Sequence, residues 1–434
     1  MTAPAASAVP SFGRFVADSA AAGQLVVQPR MGFSDLRRMR RGLLATKFAA
    51  ARTVGTLTLD SYTRLGDHAA VRRALADGTQ LNGYPIVDHP VAATQAVLDG
   101  VLDESFPVQV RHGSSRPGQI IRALTAAGLD ASEGGPISYC LPYGRTPLRE
   151  SMDNWARGCE LLTRLVTAPR IPHLESFGGC LLGQLCPPGL LVAISLLEAL
   201  FFTQHGMDSV SLSYAQQTDT GQDEQAVVAL GRLAAEFLPR HVDWHVVLYT
   251  YMGVFPRTER GARRLLEASA ELAVRSGAQR LIVKTAAEAH CIPTVEENVH
   301  ALETAARAAA GAAALQVGPL AGTPGGGDPG DDSAPGAEVQ REARAFIEAV
   351  LELGHDVGRS LLIAFRRGYL DIPYCLHPDN AGRSRGRLDE RGRLCWSAVG
   401  AMPVRATAMP RAQRAMTSAQ LLRDLYSVAQ RFDH

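Results

Sequence analysis

Three arginines each follow an apolar, β-branched run in this chain of 434 residues. Arg30 follows LVVQP, Arg64 follows TLTLDSYT and Arg111 follows PVQV. A guanidinium binds a carboxylate through two parallel, charge-assisted hydrogen bonds and keeps its charge at any useful pH. Three such groups at one pocket would hold a small dianion by both ends. Taken singly, each arginine is more often an exposed salt-bridge partner, so the hypothesis requires all three to converge.

Other polar residues near predicted strands would complete a site for an amino-dicarboxylic acid. Glu133 would receive an ammonium group, and Tyr139 and Tyr143 would donate neutral hydrogen bonds. Lys284 follows the run LIV, and Glu288 comes four residues later. The residues alone leave alternatives open. The tyrosines would then be core aromatics with satisfied hydroxyl groups, and the Lys284 and Glu288 side chains an ordinary ion pair at the start of a helix.

These positions require a fold that gathers distant strand ends. Short β-branched runs alternate with stretches of helical apolar spacing, which is typical of parallel strands with covering helices. An open sheet would place the strand ends along a line, whereas a closed barrel gathers them around one mouth. We therefore predict an α/β fold, a (β/α)8 TIM barrel. Its predicted strands include 24–27, 56–59, 107–110, 137–141, 209–213, 245–249 and 281–283, and its predicted helices include 71–76, 91–98, 120–127, 227–237 and 262–274.

The pattern changes after the barrel. Residues 1–310 are predicted to form the TIM-barrel catalytic domain, with the site at the C-terminal strand ends. Residues 311–336 are rich in Gly, Pro and Asp and predict a flexible loop. Residues 337–434 predict a smaller C-terminal α+β, loop-rich region packed on the barrel, with helical spacing at 337–353 and 417–432.

Composition excludes several classes of protein. The 44 Lys and Arg nearly balance the 43 Asp and Glu, so a broad nucleic-acid or anionic-membrane surface is not expected. The longest apolar stretch, 190–202, is too short for a bilayer span and carries Glu198, so it predicts a buried helix. No basic segment precedes an apolar one at the N-terminus, and seven scattered cysteines lack a CxxC pair. These features predict a cytoplasmic protein with reduced thiols and no metal site formed by its own side chains.

A set of motifs in one order resembles the large (epsilon) subunit of glutamate mutase, also called methylaspartate mutase. The motifs are VVQPRMG at 26–32, DSYTR at 60–64, LNGYP at 81–85, VRHG at 110–113, SEGGPISYCLPY at 132–143, YMGVFP at 251–256, IVKTAAEAHCIPT at 282–294, DIPY at 371–374 and DNAG at 379–382. The resemblance implies an isomerase that uses adenosylcobalamin (coenzyme B12) to interconvert L-glutamate and threo-3-methyl-L-aspartate. It implies a radical mechanism in which the cofactor supplies the difficult chemistry and the protein encloses it.

Carried over position by position, the resemblance implies two groups of site residues. Substrate binding falls to Arg30, Arg64, Arg111, His112, Glu133, Tyr139 and Tyr143, of which Glu133, Arg64 and Arg111 are catalytic. The cofactor is held by Gly32, Asn82, Pro142, Phe255, Lys284, Glu288 and Ile292, with Lys284 and Glu288 on the adenosyl ribose. Phe177 also falls at a matching position, and cobalt is expected only within cobalamin.

The sequence lacks the motif that places a histidine below cobalt, Asp-x-His-x-x-Gly. The nearest approach, Asp243-Trp244-His245, lacks the glycine and lies in a predicted strand. The resemblance therefore implies a separate small, Rossmann-like B12-binding subunit as partner, and a homodimer of this chain. One departure from the family is Leu174, where a basic residue is expected before Glu175. Two alternatives stay open: a related B12-dependent mutase acting on another amino diacid in specialised metabolism, and a non-catalytic paralogue that scaffolds a B12-binding partner.

Overall fold

Eight parallel strands form one sheet in the computed structural model, which describes residues 11–142, 144–177, 185–315, 337–406 and 416–434. The strands are β1 (Val26–Gln28), β2 (Gly55–Thr58), β3 (Val108–Arg111), β4 (Ala131–Gly134), β5 (His173–Ser176), β6 (Ser209–Ala215), β7 (Asp243–Tyr249) and β8 (Arg280–Ile282). From β2 to β8 each strand pairs with the next in sequence, and β1 pairs with β8. All C-terminal strand ends therefore face the same way.

The sheet closes between β1 and β2. Val27 forms a parallel bridge with Thr53, just before β2, and its N–H donates to the carbonyl of Arg52 at 2.9 Å. Further along, the N–H of Thr58 donates to the carbonyl of Met31, also at 2.9 Å. These contacts complete the ring of strands, so the predicted (β/α)8 barrel is confirmed.

Helices cover the outside of the barrel. They are α1 (Phe12–Ala21), α2 (Leu36–Lys47), α3 (Ser61–Leu65), α4 (His68–Ala76), α5 (Val91–Leu98), α6 (Gly118–Ala126), α7 (Leu148–Leu165), α8 (Pro188–Gln204), α9 (Thr220–Phe237), α10 (Glu259–Ser276) and α11 (Val295–Leu315), with a 3-10 turn at Ala286–Ala289. The five predicted helices are confirmed as parts of α4, α5, α6, α9 and α10. Helix α8 is buried on every face from residue 188 to 202, as its apolar composition predicted. None of the helices in the described ranges has the length and apolarity needed to cross a membrane.

One predicted strand is wrong, and two strands of the structure, β4 and β5, are missing from the prediction. Residues 137–141 form turns, whereas β4 lies earlier, at Ala131–Gly134. Gly134 has a φ of 146°, and Pro136, which has no N–H for a strand ladder, follows two residues later. Strand β5 has the sequence HLES, whose three polar side chains conceal it from a search for apolar runs.

The C-terminal region packs on the barrel helices. It comprises α12 (Ala337–Leu351), α13 (Val357–Arg367), the antiparallel hairpin of β9 (Arg385–Leu388) and β10 (Leu394–Ala398), and α14 (Ser418–Asp433). Helix α12 packs against α8 and α9, and α14 packs against α10. The Asp433 carboxylate accepts the N–H groups of Arg257 and Thr258, at 2.9 and 3.0 Å. Helix α11 continues through residues 311–315, which the sequence placed in the predicted loop, and the rest of that loop lies outside the described residues.

Candidate active site

The three predicted arginines follow three successive strands of the closed barrel. Arg30 comes two residues after β1, Arg64 lies in α3 after β2, and Arg111 is the last residue of β3. Helix α3 begins at a defined point because the Asp60 carboxylate accepts the N–H groups of Tyr62 and Thr63, both at 2.9 Å. All three arginines therefore belong to the C-terminal mouth of the barrel.

Arg111 and Glu133 form a buried ion pair at this mouth. Nε of Arg111 donates to Oε2 of Glu133 at 2.6 Å, and the two side chains are 5% and 3% exposed. Burial alone lowers the pKa of the Arg111 guanidinium, but Glu133, Tyr249, Glu175 and Tyr139 together outweigh burial and raise this pKa above its ordinary value. The guanidinium is therefore permanently charged.

Glu133 receives further hydrogen bonds from two tyrosines. The Tyr139 hydroxyl donates to Oε1 of Glu133, and the Tyr249 hydroxyl lies 3.0 Å from Oε2. Burial raises the pKa of Glu133, the Arg111 charge lowers it, and the charge of Glu175 raises it further. Tyr139 is buried and its hydroxyl is satisfied by a carboxylate, which agrees with the alternative of a core aromatic with a satisfied hydroxyl group. A negatively charged Glu133 in this setting suits an ammonium group.

His112 has a buried ring nitrogen that lacks a hydrogen-bond partner within the described ranges. Its Nδ1 accepts the N–H of Ser114 at 3.1 Å, and its ring stacks on Trp155 with centroids 5.8 Å apart. Burial, together with the nearby charge of Arg64, lowers the pKa of His112 to about 3, so the ring is neutral. Because Nδ1 is the acceptor, the proton belongs on Nε2, which has no hydrogen-bond partner among the described residues. A buried N–H of this kind requires an acceptor, and an anionic ligand would supply one.

Arg30 contacts Glu288 directly. Nη1 of Arg30 lies 2.5 Å from Oε2 of Glu288, whose other oxygen accepts the N–H of Thr285 at 3.1 Å. Lys284 makes no ion pair with Glu288, so the alternative of an ordinary ion pair between these two side chains at the start of a helix is wrong. Instead, the Lys284 ammonium lies 4.2 Å from the centre of the Phe255 ring. Burial lowers the pKa of Lys284 to about 8, despite the opposing charge of Glu288.

The remaining predicted cofactor residues lie at varied depths. Gly32 is buried, and a Cβ there would lie 2.0 Å from the Thr58 carbonyl oxygen, so the chain's own packing already requires glycine. Asn82 is exposed and accepts the N–H of Ser61 at 2.9 Å, whereas Ile292 is 52% exposed. Pro142 is half-buried. The adjacent Tyr143 lies outside the described residues.

Sequence reasoning missed a group of polar side chains inside the barrel. Tyr249 ends β7 and contacts both Arg111 and Glu133. The Tyr249 hydroxyl and Nη2 of Arg280 both donate to the Glu175 carboxylate, and Arg280 is 0% exposed. The available signal was the presence of charged residues within the strands HLES and RLI, because a barrel lumen is where a buried strand carries paired charges.

His245 cannot serve as a lower ligand of cobalt. It lies within β7, is 2% exposed, and its Nε2 faces Nε of Arg280 at 3.3 Å. Its ring stacks on His173 with centroids 5.1 Å apart. The nearest approach to a cobalamin-histidine motif is therefore part of the barrel interior.

Fold and site together give a (β/α)8 barrel with a cluster of buried, charged side chains at the strand ends. The family model described as methylaspartate mutase E chain matches residues 8–420. The chain therefore belongs to the methylaspartate mutase E-chain family, which makes it a mutase, an isomerase.

Relatives across bacteria and archaea agree with this membership. The chain is similar to the glutamate mutase epsilon subunit of Halobacterium salinarum, at 32% identity over 397 residues, covering 89% of this chain and 80% of the relative. The epsilon subunit of Escherichia coli O157:H7 is 31% identical over 363 residues, covering 80% and 72%. That of Yersinia enterocolitica is 30% identical over 405 residues, covering 91% and 81%.

Proposed function

We propose that this chain is the catalytic subunit of an adenosylcobalamin-dependent glutamate mutase, an intramolecular transferase that converts L-glutamate to threo-3-methyl-L-aspartate. Family membership and the names of the relatives support this function. The observation that carries it is the buried Arg111 and Glu133 pair beside Nε2 of His112, which has no partner in the described part of the chain. Together these groups offer a cation, an anion and a neutral donor, which suits a substrate with carboxylate and ammonium groups.

The two substrate carboxylates would be held by different sets of groups. Among the described residues, the Arg64 side chain makes no hydrogen bond or ion pair, so its guanidinium would be available to a ligand. Its charge acts on His112, so Arg64 and the His112 Nε2–H would bind one carboxylate together. Arg111 uses two of its N–H groups on Glu133 and Tyr249, and the others would hold the second carboxylate.

Glu133 would receive the substrate ammonium. Its carboxylate already has two tyrosine hydroxyls and the Arg111 guanidinium around it, so it is fixed in orientation before substrate arrives. Such preorganisation aligns a substrate without reorganising the pocket. Tyr143 completes this proposal as a substrate contact.

The residues at the ends of β1 and β8 fit an adenosyl group. The Glu288 oxygens each hold one donor, from Arg30 and from Thr285, and each keeps a lone pair that would accept a ribose hydroxyl. The buried Lys284 would place an ammonium beside the same group. Held by these residues, adenosylcobalamin would supply the radical chemistry that hydrogen-atom abstraction from the substrate requires.

The chain's own residues would position the substrate and keep water away. Tyr139, Phe177 and Tyr249 pack ring against ring around Glu133, with centroids 4.8 and 5.3 Å apart. Arg30 has N–H groups beyond the one used on Glu288, so it would bridge the substrate and the adenosyl side of the pocket. Gly32, Asn82, Pro142, Phe255 and Ile292 are proposed to line the cobalamin face.

A separate small subunit would bring the histidine for cobalt. His245 is occupied inside the barrel, which supports a Rossmann-like B12-binding partner carrying Asp-x-His-x-x-Gly. We further propose a homodimer of this chain and a cytoplasmic location. The division into a barrel domain and a C-terminal region from residue 337 is also proposed.

One assay tests the function. The chain is combined with a small B12-binding subunit, adenosylcobalamin and L-glutamate, and 3-methylaspartate is measured. Product formation supports the proposal, and rearrangement of another amino diacid in place of glutamate would move the substrate to that diacid. Failure with every amino diacid, when the partner and cofactor bind normally, would favour the non-catalytic scaffold.

A further inference from the structure

The Tyr249 hydroxyl lies at a junction of three charged side chains. Its oxygen accepts a hydrogen bond from Nη2 of Arg111 at 3.1 Å and lies 3.0 Å from Oε2 of Glu133. The same hydroxyl donates to Oε1 of Glu175. A hydroxyl group has one proton, so here a single proton is shared between two carboxylates.

Glu175 connects this junction to a rigid base. Its carboxylate accepts from Nη2 of Arg280 and from Nε2 of Gln109 at 3.2 Å. Both Glu175 and Arg280 are 0% exposed. Arg280 is held in turn by partners on several other strands: Gln28, Gln109, Ser211 and His245. Movement of Glu175 would break this network, so it is a fixed point for the Tyr249 hydroxyl.

We propose that Tyr249 is a positioning residue, whose hydroxyl holds Arg111 and Glu133 in one orientation and fixes both to Glu175 in the barrel interior. This inference rests on the proposed function, since Arg111 and Glu133 are the groups that would hold the substrate's carboxylate and ammonium. Tyr249 acts through these two side chains.

The ring of Tyr249 has its own contacts, which separate its packing from the role of the hydroxyl. The Phe177 ring meets it edge-on at 5.3 Å, and the Arg111 guanidinium lies 5.1 Å from its centre. Tyr249→Phe keeps both contacts and removes only the oxygen. The fold should therefore survive the substitution.

A matched control exists on the neighbouring strand. Tyr214 lies on β6, is 0% exposed, and its hydroxyl donates to Oδ1 of Asp223 at 2.8 Å. Tyr214→Phe thus removes an equally buried hydroxyl bonded to a carboxylate, but away from Arg111 and Glu133. Any loss caused by burial and packing alone would appear in both variants.

Activity is the first measurement. With the B12-binding subunit, adenosylcobalamin and L-glutamate, Tyr249→Phe should lower kcat/KM about tenfold to a hundredfold, since it removes hydrogen bonds to charged groups. Tyr214→Phe should stay within about twofold of the wild type. Equal kinetics in Tyr249→Phe and the wild type would overturn the proposal while leaving the proposed function intact. An inactive wild type would instead overturn the function.

A second measurement is independent of turnover. The carboxyl 13C signal of Glu133, assigned with Glu133→Gln, is titrated in the chain without substrate. Loss of a hydroxyl donor favours the neutral carboxyl, so Tyr249→Phe should shift the Glu133 titration to higher pH, and with it the acid limb of kcat/KM. An unchanged Glu133 titration in Tyr249→Phe, or an equal shift in Tyr214→Phe, would overturn the proposal whatever the substrate. The titratable and charged groups around Glu133 and the neighbouring Glu175 are Arg111, Tyr139, Tyr249 and Arg280.

Discussion

Arg111→Met tests the buried ion pair at the centre of the site. The substitution keeps an apolar stem of similar length and removes the charge that Glu133 faces at 2.6 Å. With side chains only 5% and 3% exposed, solvent cannot replace the lost partner. Removing one member of a buried pair costs about 3–5 kcal/mol of unfolding free energy. The variant should therefore unfold in urea with a free energy lower by an amount in that range.

The size of this loss should depend on pH in a defined direction. Burial already raises the pKa of Glu133, and without the Arg111 charge this pKa rises further. A carboxyl whose folded-state pKa exceeds its unfolded value costs no stability below the unfolded pKa, and costs progressively more as the pH rises towards the folded value. The destabilisation should accordingly be larger at pH 8 than at pH 5.

The double variant Arg111→Met/Glu133→Gln separates stability from activity. It removes the stranded carboxylate, so most of the lost unfolding free energy should return, as a double-mutant cycle would record. Turnover of glutamate should stay about a hundredfold or more below the wild type in Arg111→Met, in Glu133→Gln and in the double variant, because each lacks a charge-assisted contact. Additive losses of stability, or near-normal turnover in Arg111→Met, would refute the assignment of this pair.

Three further substitutions test other parts of the mouth. Arg64→Lys should lower kcat/KM for glutamate sharply, since an ammonium cannot reproduce a bidentate fork, and near-normal kinetics would remove Arg64 from the site. Lys284→Met should gain stability relative to the wild type by ~3 kcal/mol as the pH falls from about 10.4 to 8. The reason is that the folded-state pKa of Lys284 is lowered to about 8, so charging this group in the folded chain is costly. Parallel pH profiles of the two proteins in urea unfolding would contradict this. Gly32→Ala should lose about 1–3 kcal/mol of unfolding free energy, since its Cβ would lie 2.0 Å from the Thr58 carbonyl oxygen, and an unchanged urea midpoint would show that the backbone yields without cost.

The sequence predicted those parts of the fold in which apolar spacing reports burial. Strand β7 and helix α8 are apolar because both of their faces are covered, and their positions agree with the prediction. Strand β5 was missed because it turns polar side chains into the barrel, where Glu175 finds Arg280 more than a hundred residues away. Local pattern carries no information on such a partner. The junction of charged side chains at the Tyr249 hydroxyl was missed for the same reason, since its three charged neighbours lie on β3, β4 and β5.

The turn that replaced the predicted strand at 137–141 is held by a carboxylate from another element. Oε1 of Glu198, on α8, accepts the N–H groups of Ile137 and Ser138 at 2.8 and 2.9 Å, and both carboxylate oxygens contact the Ser138 hydroxyl. An apolar run whose N–H groups are satisfied in this way has no need of a neighbouring strand. The same turn carries Tyr139 to Glu133, so the helix residue that prevents a strand also shapes the site.

Glu198→Leu provides the test of this arrangement. Leucine has no acceptor, so the backbone N–H groups of Ile137 and Ser138 both lose theirs, and the unfolding free energy should fall by about 1–3 kcal/mol for each. Glu342→Leu is the matched control, because the Glu342 carboxylate accepts from Nε1 of Trp396 at 2.6 Å, on the side of α8 away from the turn. Turnover of glutamate should fall in Glu198→Leu and stay normal in Glu342→Leu. Normal turnover in both variants, with Tyr139 still needed for activity, would mean that the turn holds its shape without Glu198.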